Sequence, residues 1–371
     1  MEKSKVFFTD MRCRVGVSLL DKLDRLIIQA GIEEINFKKK FVAIKLHFGE
    51  PGNLAFLRPN FAKTVADHIK KLDGLPFLTD CNTLYVGRRN NALWHLEAAL
   101  ENGYSSLSTG CQMIIADGLK GGDDLEVPIA GGVFLKSAWI GRAVMDADVI
   151  ISLNHFKGHE ATGFGGAIKN IGMGCGSRAG KMAMHSDGKP SVIQEKCVGC
   201  RTCIRYCAQE AISFGTAKKA FINSSRCVGC GRCLGVCNYD AIGNLFDDSN
   251  DRLCAKMVEY AKAVLDGRPH FHISVINQVS PYCDCHGEND AAVVPDIGIF
   301  AGFDPVALDA ACIEAVNAAP SLSGSIINDR EQDGIVDHFT RIHLATDWRV
   351  QLTHAEKIGL GHAGYKLINV Y

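Results

Sequence analysis

The sequence lacks any long apolar segment. No run of about 18 consecutive apolar residues occurs, and a membrane-spanning helix needs at least about that length, so we expect no membrane span. The first residues, 1–6, contain neither the apolar core of a secretion signal nor a pair of arginines. These absences predict a cytoplasmic protein.

An excess of charge of one sign is absent as well. The chain has 40 lysines and arginines against 41 aspartates and glutamates, which gives a formal net charge of -1. Proteins that bind nucleic acids or anionic membranes through their overall charge are strongly basic. The charge balance therefore argues against both kinds of partner.

Cysteine, in contrast, is abundant, with 16 in 371 residues. Eight of them form two runs of the pattern C-x2-C-x2-C-x3-C, and the second run begins 30 residues after the first. In bacterial ferredoxins such a run gives three thiolates to one 4Fe–4S cluster and its fourth thiolate to the other cluster. The spacing thus predicts two 4Fe–4S clusters. Their predicted ligands are Cys197, Cys200, Cys203 and Cys237 for the first cluster, and Cys227, Cys230, Cys233 and Cys207 for the second.

The spacing disfavours the other common roles of clustered cysteines. Zinc sites usually consist of two C-x2-C pairs with a long spacer. Disulfide networks are typical of small secreted proteins rather than of a large cytosolic chain. The residue after the fourth cysteine, usually proline in bacterial ferredoxins, is Ala208 in the first run and Asn238 in the second. Since proline donates nothing to iron, we expect ligation to be preserved.

Outside the cysteine runs, predicted strands alternate with predicted helices. Examples are strand 41–46, the helix that begins at Pro59, strand 76–79, helix 138–146 and strand 148–153. The alternation predicts an α/β body with a parallel or mixed sheet, arranged as two lobes with a cleft. A chain of this length also exceeds the size of a single core, about 250–300 residues. The predicted domains are a first part of the α/β body at 1–190, a ferredoxin-like insert with two clusters at 191–245, and a second part of the body at 246–371.

Polar residues follow several of the predicted strands. His47, Asp80, Asp117 and Asn154 each come directly after one. Ligands of open α/β sheets bind beyond the carboxyl ends of the strands, so these residues predict a binding cleft. Asp304 also follows a strand, at 296–301, although the proline after it favours a helix N-cap, with Asp309 as an acid of the first turn.

The densest group of polar residues and glycines lies between residues 155 and 181. Histidines there can transfer protons and lysines can hold an anion, so the predicted catalytic residues are His155, His159, Lys157 and Lys169. A helix that starts near Gly166 would offer free backbone N–H groups to an anion. The predicted cofactor-binding residues are Gly163, Gly165, Gly166 and Asn170.

A third group consists of Cys283, Asp284 and Cys285, followed by His286. A disulfide across a single intervening residue is strained. The two cysteines are therefore either ligands of an additional metal ion, together with a histidine of segment 155–159, or two buried thiols. The pattern does not favour one interpretation over the other.

Several segments also resemble a known family. The segments are 45–50, 82–85, 116–118, 155–181, 283–285 and 304–309. They are similar to domain-of-unknown-function family 362, in its form with an iron–sulfur module, and this resemblance implies two clusters and an α/β body. In addition, His159, Gly163, Phe164, Gly166 and Lys169 are similar in order and spacing to a stretch of the nickel-pincer lactate racemase family. That resemblance implies a catalytic role for His159 and a cofactor-holding role for Lys169.

These observations favour a ferredoxin-type oxidoreductase whose clusters pass electrons to a substrate or cofactor in a cleft near residues 155–169. The histidines of that segment would supply the protons that a reduction needs. Two other functions remain: an electron carrier or assembly partner without a substrate of its own, or a racemase-like or isomerase-like enzyme with structural clusters. The expected partner is a redox protein or a small anionic substrate.

Overall fold

The computed structural model describes most of the chain. The residues that it leaves undescribed are 1–2, 85–86, 186–189, 206, 208, 228–232, 234–236, 238, 240, 244–249, 330–333, 335–336 and 345. Cys230, a predicted cluster ligand, lies outside the described residues.

Strands and helices alternate along the chain. The strands are β1 (Ser4–Asp10), β2 (Phe41–Lys45), β3 (Leu75–Asp80), β4 (Gln112–Ile115), β5 (Asp124–Pro128), β6 (Ser137–Gly141), β7 (Val149–His155), β8 (Lys157–His159), β9 (Gly163–Gly165), β10 (Ser191–Val192), β11 (Ile212–Phe214), β12 (Ala220–Ile222), β13 (Ile242–Gly243), β14 (His270–Ile276), β15 (Gly298–Gly302) and β16 (Tyr365–Asn369). The α-helices are α1 (Leu19–Gln29), α2 (Pro59–Lys71), α3 (Ala92–Glu101), α4 (Ser106–Thr109), α5 (Arg142–Asp146), α6 (Ala167–Cys175), α7 (Arg178–His185), α8 (Thr202–Arg205), α9 (Asn250–Leu265), α10 (Pro305–Ala318), α11 (Ile326–Asp329), α12 (His338–Ile342) and α13 (Arg349–Lys357).

One mixed sheet organises the α/β body. Its strand order is β16-β1-β15-β14-β7-β2-β3-β4. The strands from β14 to β4 run parallel, whereas β15 is antiparallel to both of its neighbours. The predicted α/β body with a parallel or mixed sheet is thereby confirmed. Helices pack on both faces of this sheet, while β5 pairs only with β6, and β8 only with β9, in two small separate sheets within the described residues.

The direction of β15 corrects one expectation about the site. Because β15 runs against β14, its carboxyl end points to the opposite edge from the ends of the parallel strands. Asp304 therefore does not join the polar residues that follow β2, β3 and β7. Its carboxylate instead accepts the N–H groups of Val306 and Ala307 and caps α10, with Pro305 as the first helical residue. The helix-cap interpretation of Asp304 is confirmed.

Alternation along each strand divides the core between the two faces. On β2, Val42 and Ile44 pack with α1 and α2, while Ala43 packs with α6, α9 and α10 on the other face. Every residue of β7 is buried, as expected for a central strand covered by helices on both sides. The burial of apolar side chains on both faces stabilises the sheet.

The predicted helix at 138–146 is wrong in its first half. Residues Ser137–Gly141 form β6, which pairs antiparallel with β5. Ala138 and Ile140 are buried while the residues next to them, Ser137 and Trp139, are only partly buried. This period of two suits a strand, and only Arg142–Asp146 is helical.

The cysteine-rich segment lies between α7 and α9. At its ends β10 pairs with β13, so that Ser191 lies opposite Gly243. Between them β11 and β12 form a hairpin. Strands from both sides of the segment share the large sheet, where β7 pairs with β14. Within the described parts of the chain, no helix is long and apolar enough to cross a membrane.

Candidate functional site

A cleft lies beyond the carboxyl ends of β2, β3 and β7. Its volume is about 490 Å³, within the range of roughly 300–1,000 Å³ that is typical of small-molecule sites. Polar residues that line it include Lys45, Asp80, Lys157, His159, Lys169 and Cys285. Residues from separate loops thus meet at the strand ends, as the order of the strands predicts.

Three of the four predicted catalytic residues, Lys157, His159 and Lys169, line the cleft. His155 is not among the described lining residues and is buried. Its Nδ1 lies 2.8 Å from a carboxylate oxygen of Asp284, and its Nε2 lies 2.8 Å from the carbonyl oxygen of Asn277. With both ring nitrogens facing oxygen acceptors, His155 is placed to hold the loop rather than to exchange protons with a bound molecule.

The buried carboxylate of Asp284 connects two loops of the site. Besides His155 it contacts Lys157, whose Nζ lies 3.2 Å from Oδ2. Burial alone would raise the pKa of Asp284, but the charges of His155 and Lys157 hold it below its usual range. Asp284 therefore remains ionised and fixes the loop after β14 against β7 and β8.

His159 has a defined ring orientation. Its Nδ1 accepts hydrogen bonds from the backbone N–H groups of Ala161 and Thr162, both at 3.1 Å. A nitrogen that accepts hydrogen bonds carries no proton, so the proton of the neutral ring is on Nε2. His159 also forms a side-chain hydrogen bond with Cys283. This Nε2–H is therefore available as a donor to the sulfur.

Cys283 is placed as a thiolate. The hydrogen bond from Cys285 lowers the pKa of Cys283 most, and the charges of Lys169 and Lys157 lower it further against the opposing effect of burial. The Nζ of Lys169 lies 3.2 Å from the sulfur of Cys283. The same hydrogen bond raises the pKa of Cys285. The pair thus shares one proton, which resides on Cys285.

Two groups of residues are compatible with metal binding. The ligand atoms of His159, Cys283 and Cys285 all lie within 4.8 Å of one another, and those of Glu160, Cys285 and His286 form a second such group. The expected approach of a histidine from segment 155–159 to the two cysteines therefore occurs. Metal-bound histidines usually donate their other ring N–H to an acceptor. Because Nδ1 of His159 is itself an acceptor, a metal on Nε2 would leave the ring without any proton.

The predicted anion cradle at the start of α6 is wrong. The N–H groups of Ala167 and Ile168 donate to the carboxylate of Asp309, at 2.7 and 2.9 Å. A Cβ atom at Gly166 would lie 2.3 Å from Oδ1 of Asp309, so only glycine fits beside this carboxylate. Burial raises the pKa of Asp309 to about 7, although the two N–H donors oppose the shift. The chain itself supplies the carboxyl group that caps this helix.

The predicted cofactor-binding residues are only partly brought together. Gly165, Gly166 and Asn170 line the cleft. Gly163, which has a φ of +76°, packs instead beside Trp348, whose Cβ would lie 2.7 Å from a Cβ atom at position 163. Gly163 thus shapes the turn before β9 and lies away from the cleft.

Sequence reasoning missed the role of Lys45. Its ammonium lies 3.0 Å from a carboxylate oxygen of Asp80, and both side chains are buried. It also donates to the side-chain oxygen of Asn170 at 2.8 Å. Burial would raise the pKa of Asp80, but Lys45 holds it well below its usual range. A lysine that ends an otherwise apolar strand was the available signal for this buried ion pair.

The cysteine runs form a second candidate site. Cys197, Cys200 and Cys203 of the first run and Cys237 of the second line one small cavity. In each run, the sulfur of the last cysteine accepts a hydrogen bond from the backbone N–H of the residue four positions later. The distances are 3.3 Å from Ala211 to Cys207 and 3.4 Å from Ala241 to Cys237. Such donors stabilise thiolates and influence the potential of iron–sulfur clusters.

The two candidate sites adjoin each other through α7. Met182 of this helix packs in one apolar cluster with Cys203 and Cys233, and Leu84 packs against the same cluster. Leu84 also lines the cleft, as does Lys181, the neighbour of Met182 on α7. Leu84 therefore packs against the cysteine-rich core and is part of the cleft wall. Met182 packs in that core and is the sequence neighbour of Lys181, a residue of the cleft wall.

Comparison with known proteins assigns the chain to a family. The family model of DUF362, described as a domain of unknown function, matches residues 42–314. Since this match covers most of the chain, the protein belongs to the DUF362 family, as its segments indicated. Among curated proteins no match was found.

Two solved structures are similar to the chain at a low level. One is the lactate racemase apoprotein from Thermoanaerobacterium thermosaccharolyticum, with 13% sequence identity and a TM-score of 0.40, where the match covers 74% of this chain and 51% of that one. The other is a protein from Thermotoga maritima, with 11% identity and a TM-score of 0.40, covering 77% of this chain and 55% of that one. The chain thus spans about half the length of each of these structures.

Proposed function

We propose that the protein is an iron–sulfur oxidoreductase in which two 4Fe–4S clusters exchange electrons with a small molecule bound in the cleft. The observation that carries the proposal is the cavity shared by Cys197, Cys200, Cys203 and Cys237. Three of these cysteines belong to one run and the fourth to the other. This exchange of the fourth ligand is the arrangement of bacterial two-cluster ferredoxins.

The surroundings of the sulfurs support iron–sulfur ligation. Backbone N–H groups point at the sulfurs of Cys207 and Cys237 in the same way in both runs. A third donor, the N–H of Ala220, lies 3.3 Å from the sulfur of Cys197. Clusters held by these cysteines would supply electrons one at a time.

The position of the cleft supports its role as the place of reaction. Leu84 packs against the cysteine-rich core and also lines the cleft, so packed side chains connect the two sites. Lysines and arginines outnumber carboxylates among the described residues of the cleft wall, which favours an anionic molecule. They are Lys45, Arg89, Lys157, Lys169 and Lys181, against Glu50, Asp80 and Glu160. A reduction also needs acid and base groups within reach, and the cleft contains titratable groups for this purpose.

The test is the metal content and redox behaviour of protein purified without oxygen. We expect about eight iron atoms and about eight sulfides per chain and an electron paramagnetic resonance signal after reduction. Cys237→Ser should lose a large part of the iron, whereas Cys13→Ser, at an exposed cysteine far from both runs in sequence, should retain it. A preparation that contains zinc and no sulfide would refute the proposal.

Two alternatives make different predictions. A pure electron carrier does not need a polar cleft, and the meeting of Lys157, His159 and Lys169 in one cleft favours an enzyme. A racemase-like or isomerase-like enzyme would use His159 and Lys169 with clusters that only stabilise the fold. In that case Cys200→Ser would leave turnover intact in folded protein, whereas an oxidoreductase would lose it.

A further inference from the structure

The electron transfer proposed above leaves the pair Cys283 and Cys285 without a role. The two residues occupy the first and third positions of a β-turn, in which the N–H of His286 donates to the carbonyl oxygen of Cys283 at 3.0 Å. Two extended residues span up to about 7 Å, and a turn shortens this span into the range of disulfides, about 4.4–6.8 Å between Cα atoms. Their sulfurs already lie within 4.8 Å of each other. A disulfide requires the two sulfurs to approach to about 2.05 Å.

The two sulfurs differ in access and charge. Cys285 lines the cleft, whereas Cys283 is buried. The ammonium of Lys169 lies 3.2 Å from the sulfur of Cys283, and a nearby cation favours the thiolate, which is the reactive form. The sulfur of Cys285 can thus react with a molecule in the cleft, and the thiolate of Cys283 can then attack the sulfur of Cys285 and release that molecule.

A metal ion is the competing occupant of this pair. In the described group that contains both cysteines, the third ligand is His159, but its Nδ1 accepts two backbone N–H groups. A metal on Nε2 would then require a ring without a proton, contrary to the usual arrangement of metal-bound histidines. The same orientation suits an Nε2–H that donates to the sulfur of Cys283. The geometry therefore favours a dithiol over a metal site.

We infer that Cys283 and Cys285 form a redox-active dithiol, which reduces a small anionic disulfide that enters the cleft. The cleft volume of about 490 Å³ suits a small molecule. The excess of lysines and arginines over carboxylates in the described cleft wall suits an anionic one. This inference depends on the proposed function only for the electrons that restore the dithiol.

The reaction proceeds in two steps that balance. The thiolate of Cys283 takes the proton of Cys285, whose sulfur then attacks one sulfur of the bound disulfide. The sulfur–sulfur bond of the substrate breaks, and the first product leaves as a thiol with the proton that Cys283 returns to it. The thiolate of Cys283 then attacks the sulfur of Cys285, and the second product leaves as a thiolate. The protein disulfide returns to its starting form by taking up two electrons and one proton. Two one-electron clusters hold that number of electrons.

The strain of a disulfide across one residue affects both the recovery of the dithiol and the choice of substrate. Strained disulfides are readily reduced. Electrons from clusters of low potential would therefore restore the dithiol downhill. For the same reason the dithiol reduces only disulfides that are themselves easily reduced.

The experiment uses the complete protein and a small dianionic disulfide, 5,5′-dithiobis(2-nitrobenzoate). Protein that has been reduced and freed of reductant is mixed with the probe without oxygen, and its peptides are examined by mass spectrometry. We expect a disulfide between Cys283 and Cys285. Cys285→Ser should abolish it, and Cys283→Ser should retain a stable mixed disulfide between Cys285 and half of the probe.

Repeated turnover separates this inference from the proposed function. With a reduced viologen as electron donor, Cys200→Ser should lose repeated turnover yet still form the disulfide once, whereas Cys13→Ser should keep both. If the disulfide forms in protein without iron, the dithiol stands and the proposed function fails. If the protein as isolated holds a metal ion that Cys285→Ser loses, or if Cys285 does not react with the probe, the dithiol is refuted.

Discussion

Replacement of Asp284 by asparagine tests whether buried charge holds the cleft together. The carboxylate of Asp284 lies 2.8 Å from Nδ1 of His155 and 3.2 Å from Nζ of Lys157, and its side chain is 0% exposed. Asparagine keeps the shape and removes the charge, so the ammonium of Lys157 remains buried without its counter-ion. Loss of one partner of a buried ion pair costs about 3–5 kcal/mol. We expect the free energy of unfolding to fall by that amount.

A matched control removes the same charge at the surface. Lys63 and Asp67 are 2.7 Å apart, closer than either contact of Asp284, but their side chains are 47% and 41% exposed. Exposed ion pairs on a helix contribute about 0.3–0.5 kcal/mol. Asp67→Asn should therefore change the free energy of unfolding very little, because water already solvates both charges.

Urea unfolding followed by circular dichroism compares the two variants under identical conditions. The expected result is a large decrease of the midpoint for Asp284→Asn and almost none for Asp67→Asn. A loss below about 1 kcal/mol for Asp284→Asn, the size typical of an exposed pair, would show that the carboxylate does not neutralise Lys157 and His155 in the folded protein.

Three further substitutions test other buried contacts. Burial raises the pKa of Asp309 to about 7, above the unfolded value of about 3.9, so its contribution to stability is full below pH 4 and is lost as the pH rises through 7. Asp309→Asn should therefore destabilise the protein more at pH 5 than at pH 8, as measured by urea unfolding. Glu259→Gln should cost about 1–3 kcal/mol in the same assay, since the carboxylate accepts the N–H groups of 133–135. Met182→Ala should leave a cavity beside the cysteine-rich core and speed the bleaching of cluster absorbance by a chelator.

The fold was predictable where strands are long and buried. Strands β2, β3 and β7 are apolar runs followed by polar residues, and their helices begin with recognisable signals such as Pro59. The antiparallel course of β15 was not predictable, because a buried strand looks the same in either direction. The hairpin of β5 and β6 was missed, since the five residues of β6, three of them buried, fit a helix or a strand.

The site was predictable in its members but not in their contacts. The order of the strands indicated that His159 and Lys169 belong to a binding cleft, and both line it. The carboxylate that caps α6 could not be foreseen, because Asp309 is 142 residues away from Ala167. The local sequence predicts which backbone N–H groups at a helix start lack a partner within the helix. Which residue accepts their hydrogen bonds depends on the packing of α10 against α6.

The pairing of β10 with β13 bears on whether the α/β body folds without the cysteine-rich part, residues 191–245. Because Ser191 lies opposite Gly243, paired strands hold the two ends of that part at about 4.5–5.5 Å between Cα atoms. The part accounts for roughly half of the chain between β7 and β14, and halving a loop changes the entropy of closing it by only about 0.6 kcal/mol. A short linker in place of 191–245 should therefore let the large sheet close with little change in its stability. We therefore expect the α/β body to fold with or without its cysteine-rich part.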